Sequence, residues 1–374
     1  MNDPVEKREA ILLIHGIDGK TAGDVLAKLE RGLLTAPDVD QATLLAPGEI
    51  NGHPVRNLRL HLKNRANPVR YSLMEGFWGD TIDKLTQRSI REQILRGLYL
   101  IRFWAKTPVI QARNRYIAVG GVVTALALLL WWYGVVAGVV NVAVLPTGGT
   151  LVNELEALAY SSENSLFQFL IYLLSYFTHW GTALAAMLLG GGATLVVDQV
   201  VNILHFTERY LSHQNLQARI WRRLTEQLQA MLQSEDFDRL TIVSHSFGTV
   251  LHVDLLADWS VKTGIPVRHI TLGGPLAVMA LRSEAIRERL YRALTNPRVS
   301  EHPWTDFYSP RDWLCTATPD GSPDYQFGMS SLRGGRTIEH HQVPFAGKYR
   351  DEVRAAFHTR YFQQPSVLST ILEP

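Results

Sequence analysis

The sequence predicts an α/β fold in which a mostly parallel sheet carries helices on both faces and is interrupted by a two-helix transmembrane hairpin. Short apolar runs that end in small residues are typical of buried parallel strands. These runs alternate with segments of helical spacing, and two long uncharged stretches occupy the middle of the chain. A length of 374 residues accommodates one such domain plus an insertion. We therefore divide the chain into an N-terminal part of the domain, 1–100, a membrane insertion, 101–204, and a C-terminal part, 205–374.

The N-terminal part begins with a predicted buried strand and a tight turn. Ala10 to Ile14 is a continuous apolar run, and His15-Gly16 follows it directly. Thr21 to Leu34 then has apolar residues at helical spacing. Ala42 to Ala46 and Val69 to Glu75 are predicted as further strands. Strands that alternate with helices in this way indicate a parallel sheet.

The C-terminal part continues the alternation of helices and strands. Its first helix is predicted over Phe206 to Leu232, with one apolar stripe formed by Leu216, Ile220, Leu224 and Leu228. The later elements are a strand Leu240–Val243, a helix Thr249–Trp259, a strand His269–Leu272 and a last strand Thr337–Phe345. In such sheets the ligand site lies at the carboxyl ends of the strands, so functional residues are expected there.

Two uncharged stretches in the middle of the chain predict membrane-spanning helices. No charged residue occurs between Arg115 and Glu154, or from Asn164 to Val197. About 20 apolar residues are enough to cross the hydrocarbon core as a helix, so we expect spans at about 117–145 and 166–200. A buried helical hairpin of a large domain is the alternative interpretation, but soluble cores seldom contain two uncharged runs of this length.

The charges that flank these stretches predict the orientation of the hairpin. Basic residues lie before the first stretch and after the second: Arg102, Lys106, Arg113 and Arg115, then Arg209, Arg219, Arg222 and Arg223. The loop 146–165 between them carries three Glu and no Lys or Arg. The positive-inside rule then puts both termini in the cytoplasm. We expect a multi-pass protein of the bacterial inner membrane, with the α/β domain on the cytoplasmic side and the lipid bilayer as a partner.

The composition argues against several classes of function. Lys and Arg number 37 against 35 Asp and Glu, and no nucleic-acid-binding motif is present, so we expect no nucleic-acid partner. Cys315 is the single cysteine, which excludes an intramolecular disulfide and a thiolate metal cluster, and its apolar surroundings predict burial. The histidines do not fall at ligand spacing with carboxylates, so neither a metal site nor a cofactor is expected. The polar first ten residues contain no apolar core of a signal peptide.

The strongest catalytic signal is the run Leu240-Thr-Ile-Val-Ser-His-Ser246-Phe-Gly248. An apolar strand precedes Ser246, a predicted helix follows it, and Gly248 is small enough for the chain to turn sharply there. A serine on such a turn presents its hydroxyl at the edge of the sheet as a nucleophile. Ser244 stands where a glycine is more usual and is the competing serine. An ordinary turn is the alternative, because a small-x-Ser-x-Gly pattern also arises by chance.

This region, together with Ile11-Leu-Leu-Ile-His15-Gly16-Ile17, resembles the lipase and esterase branch of the α/β-hydrolase superfamily. The resemblance covers about 1–90 and 205–374, and the family usually has no membrane insertion where the hairpin lies. It implies an oxyanion hole formed by the backbone N–H groups of Ile17 and Phe247. We interpret the His15 side chain as structural and the backbone after it as the functional element.

The resemblance also implies an acid, because the family order is nucleophile, acid, histidine. Asp312 follows the predicted strand at Trp304 by a few residues and is the predicted acid. Its role would be to orient the imidazole and to stabilise its cation. Asp306 lies within the strand pattern and Asp320 in a Pro-Asp-Gly turn. Both are interpreted as structural, with Asp320 kept as an alternative acid.

Three late histidines are candidates for the general base. His358 follows the last predicted strand in Ala-Ala-Phe-His358-Thr-Arg-Tyr361, and this His-x-x-Tyr arrangement resembles the family's histidine loop. We therefore prefer His358 to His340 and His341, which are neighbours in one predicted strand and cannot both point inward. His245 adjoins the nucleophile in sequence, which would point its side chain away from the attacking oxygen.

Together these residues predict a membrane-anchored serine hydrolase, esterase- or lipase-like, with a catalytic triad of Ser246, Asp312 and His358. It would cleave an ester or thioester through an acyl-serine intermediate. Tethering the site to the bilayer makes an acyl lipid the natural substrate class, because the local concentration rises. The alternative from another class is a membrane scaffold or assembly protein on a hydrolase fold with lost or secondary catalysis. An amide hydrolase or acyltransferase is a variant of the first prediction.

Overall fold

The structure is a computed structural model that describes most of the chain outside the middle third. The described residues are 6–17, 21–81, 157, 164–170, 206–234, 237–260, 263–312, 314–322, 324, 332, 338–347 and 356–373. They belong to two compact units. One contains the residues up to 81 and from 207 onward, and the other contains 157, 164–170 and 206.

The first unit is built on a nine-stranded sheet. The strands are β1 Lys7–Ile14, β2 Val39–Leu44, β3 Gly48–Ile50, β4 His53–Leu62, β5 Val69–Glu75, β6 Arg239–His245, β7 Val267–Leu272, β8 Trp304–Tyr308 and β9 Glu339–Gln342. Their order is β2-β4-β5-β1-β6-β7-β8-β9, with β3 paired to β4. The strands from β5 to β9 in this order are all parallel, and β2, β3 and β5 pair with β4 antiparallel. The predicted mixed fold with a mostly parallel sheet is therefore confirmed.

The helices cover both faces of this sheet. They are α1 Asp24–Leu34, α2 Gln214–Gln233, α3 Gly248–Ala257, α4 Leu276–Arg282, α5 Glu284–Thr295, α6 Pro297–Ser300 and α7 Pro365–Leu372, with a further helix over 206–212. Ile11 and Leu13 of β1 join one apolar core with α1 and α7. Leu12 and Ile14 point to the other face and are also fully buried, and α3 packs on β1 and β6. Burial on both faces explains why β1 is a continuous apolar run rather than an alternating one.

Most predicted elements agree with the structure, but two of them differ from it and several observed elements were not predicted. The helix predicted over Phe206 to Leu232 is interrupted at His213, whose extended backbone (φ −112°, ψ 94°) begins α2 as its N-cap. The predicted stripe of α2 is nevertheless buried, from Leu216 to Leu228. The last strand is shorter than predicted. The antiparallel strands β3 and β4 and the helices α4 to α7 were not predicted.

The predicted membrane spans fall almost wholly outside the described residues. The span at about 117–145 lies entirely outside them, and of the span at 166–200 only 166–170 are described. Among the described helices, none combines the length and the apolar character that crossing a bilayer requires.

The carboxyl ends of the parallel strands meet at one edge of the sheet. Ile14 of β1 pairs with Ser244 of β6, and Ser244 pairs in turn with Thr271 of β7. Leu272 pairs with Phe307 of β8. This register brings the segments that follow β1, β6, β7 and β8 together, and all the predicted catalytic elements except the late histidines lie in them.

Candidate active site

Ser246 occupies a strained turn between β6 and α3. Its φ of 57° lies in the left-handed region, which is unusual for a residue other than glycine. A Cβ at Gly248 would lie 2.2 Å from the carbonyl oxygen of Ile14, so only glycine fits where the turn passes β1. The Ser246 N–H donates to the carbonyl oxygen of Leu272 at 3.0 Å. The strain is typical of a serine held in one fixed direction for chemistry.

A hydrogen-bonded chain joins the three residues predicted as the triad. Ser246 Oγ lies 2.7 Å from Nε2 of His358, and Nδ1 of His358 lies 2.8 Å from Oδ2 of Asp312. An ionised carboxylate can only accept, so Nδ1 carries a proton and Nε2 is left to accept the serine hydroxyl. The three residues come from the turn after β6, the loop after β8 and the 3-10 turn Ala356–Thr359. This arrangement allows the imidazole to remove the serine proton.

The Asp312 carboxylate is buried, and its surroundings keep it ionised. Burial alone would raise the pKa of Asp312, but the charge of His358 and several hydrogen bonds outweigh it and hold the pKa below its usual value. The donors include the Leu314 N–H to Oδ1 at 3.2 Å and the Tyr361 hydroxyl to Oδ2 at 3.2 Å. The Sγ atom of Cys315 lies 3.2 Å from the hydroxyl oxygen of Tyr361. A fixed anion at this position stabilises the imidazolium that proton transfer creates.

Cys315 is buried, as its apolar sequence context predicted. Burial and the neighbouring Asp312 charge raise the pKa of the Cys315 thiol well above its usual value. A thiol that stays protonated is a poor nucleophile. Cys315 therefore acts as a small packing residue behind the acid.

The alternative histidines do not contact the serine. His340 lies between two carboxylates, with Nδ1 3.2 Å from Asp306 and Nε2 3.3 Å from Asp320. His341 points outward, hydrogen-bonded to Glu339 at 2.9 Å. The two neighbours thus face opposite sides of β9, as the two-residue period of a strand predicted.

Asp306 and Asp320 serve this second cluster rather than the triad. Asp306 accepts the Thr318 N–H at 2.8 Å and Asp320 accepts the Ile338 N–H at 2.9 Å. Burial disfavours the His340 cation, but hydrogen bonds and charge from both carboxylates raise the pKa of His340 to about 9. Both aspartates thus hydrogen-bond to the His340 ring and favour its protonated form. This role is structural, as interpreted from the sequence.

Ser244, the competing serine, is buried within the sheet. Its side chain is fully buried, and Oγ lies 2.9 Å from Nδ1 of His252. Nε2 of His252 lies 3.1 Å from Nδ1 of His269. Burial lowers the pKa of His252 to about 3, so this ring stays neutral. A substrate carbonyl has no access to Ser244, although its serine–histidine contact is similar in length to that of Ser246.

The two predicted oxyanion donors lie at the ends of adjacent strands. Phe247 directly follows Ser246, and Ile17 is buried three residues beyond the end of β1. The His15 side chain is buried and stacks on Trp78, with ring centroids 5.2 Å apart and an interplanar angle of 4°. Its side chain is therefore structural, as interpreted from the sequence.

His245 has a role that the sequence did not reveal. Its Nε2 lies 2.6 Å from the backbone carbonyl oxygen of His358, and the two rings are 4.9 Å apart. Because a carbonyl only accepts, Nε2 of His245 carries the donated proton. The prediction that His245 points away from the attacking oxygen is compatible with this contact. No local pattern could have found it, because its partner lies 113 residues later.

The described residues contain no cluster of three or more His, Cys, Asp and Glu side chains that could hold a metal ion.

Comparison with known proteins added no relative, because no protein-family model, no curated protein and no solved structure matches this chain.

Proposed function

We propose that this protein is a serine hydrolase that cleaves an ester or thioester through an acyl-Ser246 intermediate. The observation that carries the proposal is the continuous chain from Ser246 Oγ through His358 to Asp312, with contacts of 2.7 and 2.8 Å. The left-handed φ of Ser246 supports it, because strained backbone conformations of non-glycine residues cluster at active sites.

In the proposed reaction, His358 Nε2 takes the proton as Ser246 Oγ attacks the substrate carbonyl carbon. The backbone N–H groups of Ile17 and Phe247 donate to the oxyanion of the tetrahedral intermediate, each worth about 3 kcal/mol in the barrier. His358 then returns the proton to the leaving alcohol or thiol, and the acyl group stays on serine. Water enters, gives a proton to the same imidazole and attacks the acyl carbon, which releases the acid and restores Ser246.

The sequence and topology support membership of the α/β-hydrolase superfamily. The order Ser246, Asp312, His358 along the chain is the order of that family. A parallel sheet, a serine between strand and helix, and an acid after a later strand accompany it. The lipase and esterase branch is the proposed affiliation.

An acyl lipid is the proposed substrate class, with the protein anchored in the bacterial inner membrane by its hairpin. Support comes from 164–170, where Asn164 Oδ1 accepts the N–H groups of Leu166 and Phe167 and so begins a helix. Four large apolar side chains of this helix are exposed: Leu166, Phe167, Phe169 and Leu170. A helix that exposes so much apolar surface suits a hydrocarbon environment better than water.

Two aromatic side chains pack on Phe247, the residue that follows Ser246 in sequence. The Trp78 and Tyr210 rings pack on Phe247 with centroids 5.8 and 5.6 Å away. Trp78 precedes the predicted insertion and Tyr210 follows it.

A fluorophosphonate probe tests the enzyme directly. We expect the folded full-length protein to be labelled, and labelling to vanish in Ser246→Ala. Turnover of a p-nitrophenyl ester should fall at least about 10³-fold in His358→Ala and remain near wild type in His341→Ala. No labelling of folded protein would favour a scaffold on a hydrolase fold, and loss of turnover in His341→Ala alone would refute His358 as the base.

Protease access in sealed inner-membrane vesicles tests the orientation. With both termini in the cytoplasm, the loop 146–165 should be cut only from the periplasmic side. Cleavage of this loop from the cytoplasmic side would overturn the proposed topology.

A further inference from the structure

The His15 ring holds the peptide that carries one proposed oxyanion donor. Nδ1 of His15 lies 2.6 Å from the carbonyl oxygen of Gly16. Because that oxygen can only accept, Nδ1 carries the proton. Nε2 is then free to accept, and it receives the backbone N–H of Trp78 at 3.4 Å. The ring is thus fixed in one tautomer by a donor on one side and an acceptor on the other.

The orientation of the Gly16 carbonyl determines where the next N–H points. A peptide unit is planar and trans, so the C=O of Gly16 and the N–H of Ile17 point in opposite directions. A hydrogen bond that holds the carbonyl toward His15 therefore aims the Ile17 N–H to the other side of the chain. An oxyanion donor must be aimed before the reaction begins, since its value comes from preorganisation.

Trp78 connects this peptide to the second donor. Its indole Nε1–H donates to the His15 carbonyl oxygen at 3.0 Å, so Trp78 holds both the ring and the backbone of His15. The same indole packs on the Phe247 side chain, and the Phe247 ring meets Tyr210 edge-on. All four rings are buried, and their packing restricts both peptides at once.

We propose that His15 and Trp78 are positioning residues of the oxyanion hole, acting through the Gly16–Ile17 peptide. The inference rests on the proposed hydrolase function and extends it beyond the triad. Neither side chain touches substrate. Each acts by fixing the direction of a backbone donor, so its loss lowers the rate of acyl transfer without weakening substrate binding.

Two isosteres of His15 separate this role from simple packing. In His15→Asn the amide nitrogen stands as far from Cβ as Nδ1, so it still donates to Gly16. In His15→Gln the amide group stands at the Nε2 position, so the bond to Gly16 is lost. With a p-nitrophenyl butyrate substrate, we expect kcat to fall by about 10- to 100-fold in His15→Gln, below the 10²- to 10³-fold cost of removing a donor. We expect His15→Asn to stay within about 5-fold of wild type, with KM and the pH–rate midpoint unchanged in both.

Trp78→Phe provides the second arm, because it keeps the backbone N–H and most of the ring but removes the indole donor. We expect kcat to fall by about 5-fold. Trp259→Phe is the matched control, since Trp259 is equally buried but lies beyond the far end of α3. Its kcat should be unchanged.

The outcomes separate the inference from the function on which it rests. Wild-type protein without probe labelling or turnover would remove the hydrolase and this inference together. Active wild type with equal kcat in the Asn and Gln variants of His15 would overturn the positioning role alone. If His15→Gln fails to fold, as judged by thermal unfolding, the Trp78→Phe and Trp259→Phe pair decides, and equal kcat values there would refute the inference.

Discussion

Alkaline pH is predicted to destabilise the protein through His340. The side chain is only 4% exposed and lies between the carboxylates of Asp306 and Asp320. Hydrogen bonds and charge from both raise its pKa from 6.5 to about 9, against the opposing effect of burial. The folded protein therefore holds this proton more tightly than the unfolded chain does.

The magnitude and the pH window follow from these two pKa values. A pKa that is raised on folding contributes stability that is complete below pH 6.5 and is lost as the pH rises through about 9. At pH 7 this contribution is about 2.5 kcal/mol in the free energy of unfolding, and at about pH 10 almost none of it is left. Above pH 9 the neutral ring leaves two buried anions without their cation, which is unfavourable in a low-dielectric interior.

Urea unfolding of the full-length protein in detergent micelles measures the effect by tryptophan fluorescence. His340→Gln retains hydrogen-bonding capacity but cannot titrate. Its stability deficit relative to wild type should shrink by about 2.5 kcal/mol between pH 7 and pH 10. His341→Gln is the matched neighbour, because its ring is 44% exposed and lies outside the buried cluster. A His340→Gln deficit that is equal at both pH values would refute a protonated His340 in the folded state.

Three further predictions concern the turn at Ser246. Ser244→Ala should keep fluorophosphonate labelling and lose about 1–2 kcal/mol of stability, because Nδ1 of His252 loses its hydrogen-bond partner. Loss of labelling would contradict a purely structural Ser244. Gly248→Ala should destabilise the protein by more than about 3 kcal/mol, since its Cβ would overlap a β1 carbonyl, and an unchanged thermal midpoint would disprove that constraint. His245→Asn, too short to reach the His358 carbonyl, should lower kcat by about 10-fold at constant KM, and His245→Gln should recover most of it; equal rates in the two variants would remove the anchoring role.

The parallel half of the fold was predictable because its signals are local. Ala10 to Ile14 is a continuous apolar run, and Leu240 to Val243 is interrupted only by Thr241; such runs are typical of strands buried on both faces. The antiparallel strand β4 was missed although its signal is present. Leu58, Leu60 and Leu62 are buried and alternate with polar residues, which is the pattern of a strand with one face toward solvent.

The members of the site were predictable to the extent that each follows a strand. Ser246 carries a local turn signature, and Asp312 and His358 were found by chain order and by the resemblance rather than by any contact visible in the sequence. The supporting contacts could not be predicted, because they join distant segments. His245 meets the backbone of His358 across 113 residues, and Trp78 meets His15 across 63.

The glycine after β7 shows how closely these distant segments constrain one another. Gly273 has φ of 57°, and a Cβ there would lie 2.6 Å from the Tyr361 ring and 3.3 Å from Oδ2 of Asp312. The loop that carries Asp312 is hydrogen-bonded to the residue after Gly273, because the Thr316 N–H donates to the Gly274 carbonyl oxygen at 2.9 Å. The space that a side chain at Gly273 would occupy is thus filled by the Asp312 carboxylate and by Tyr361, whose hydroxyl donates to it. The strand ends therefore fix the backbone positions of the site, and the fit between its loops determines which side chains can occupy them.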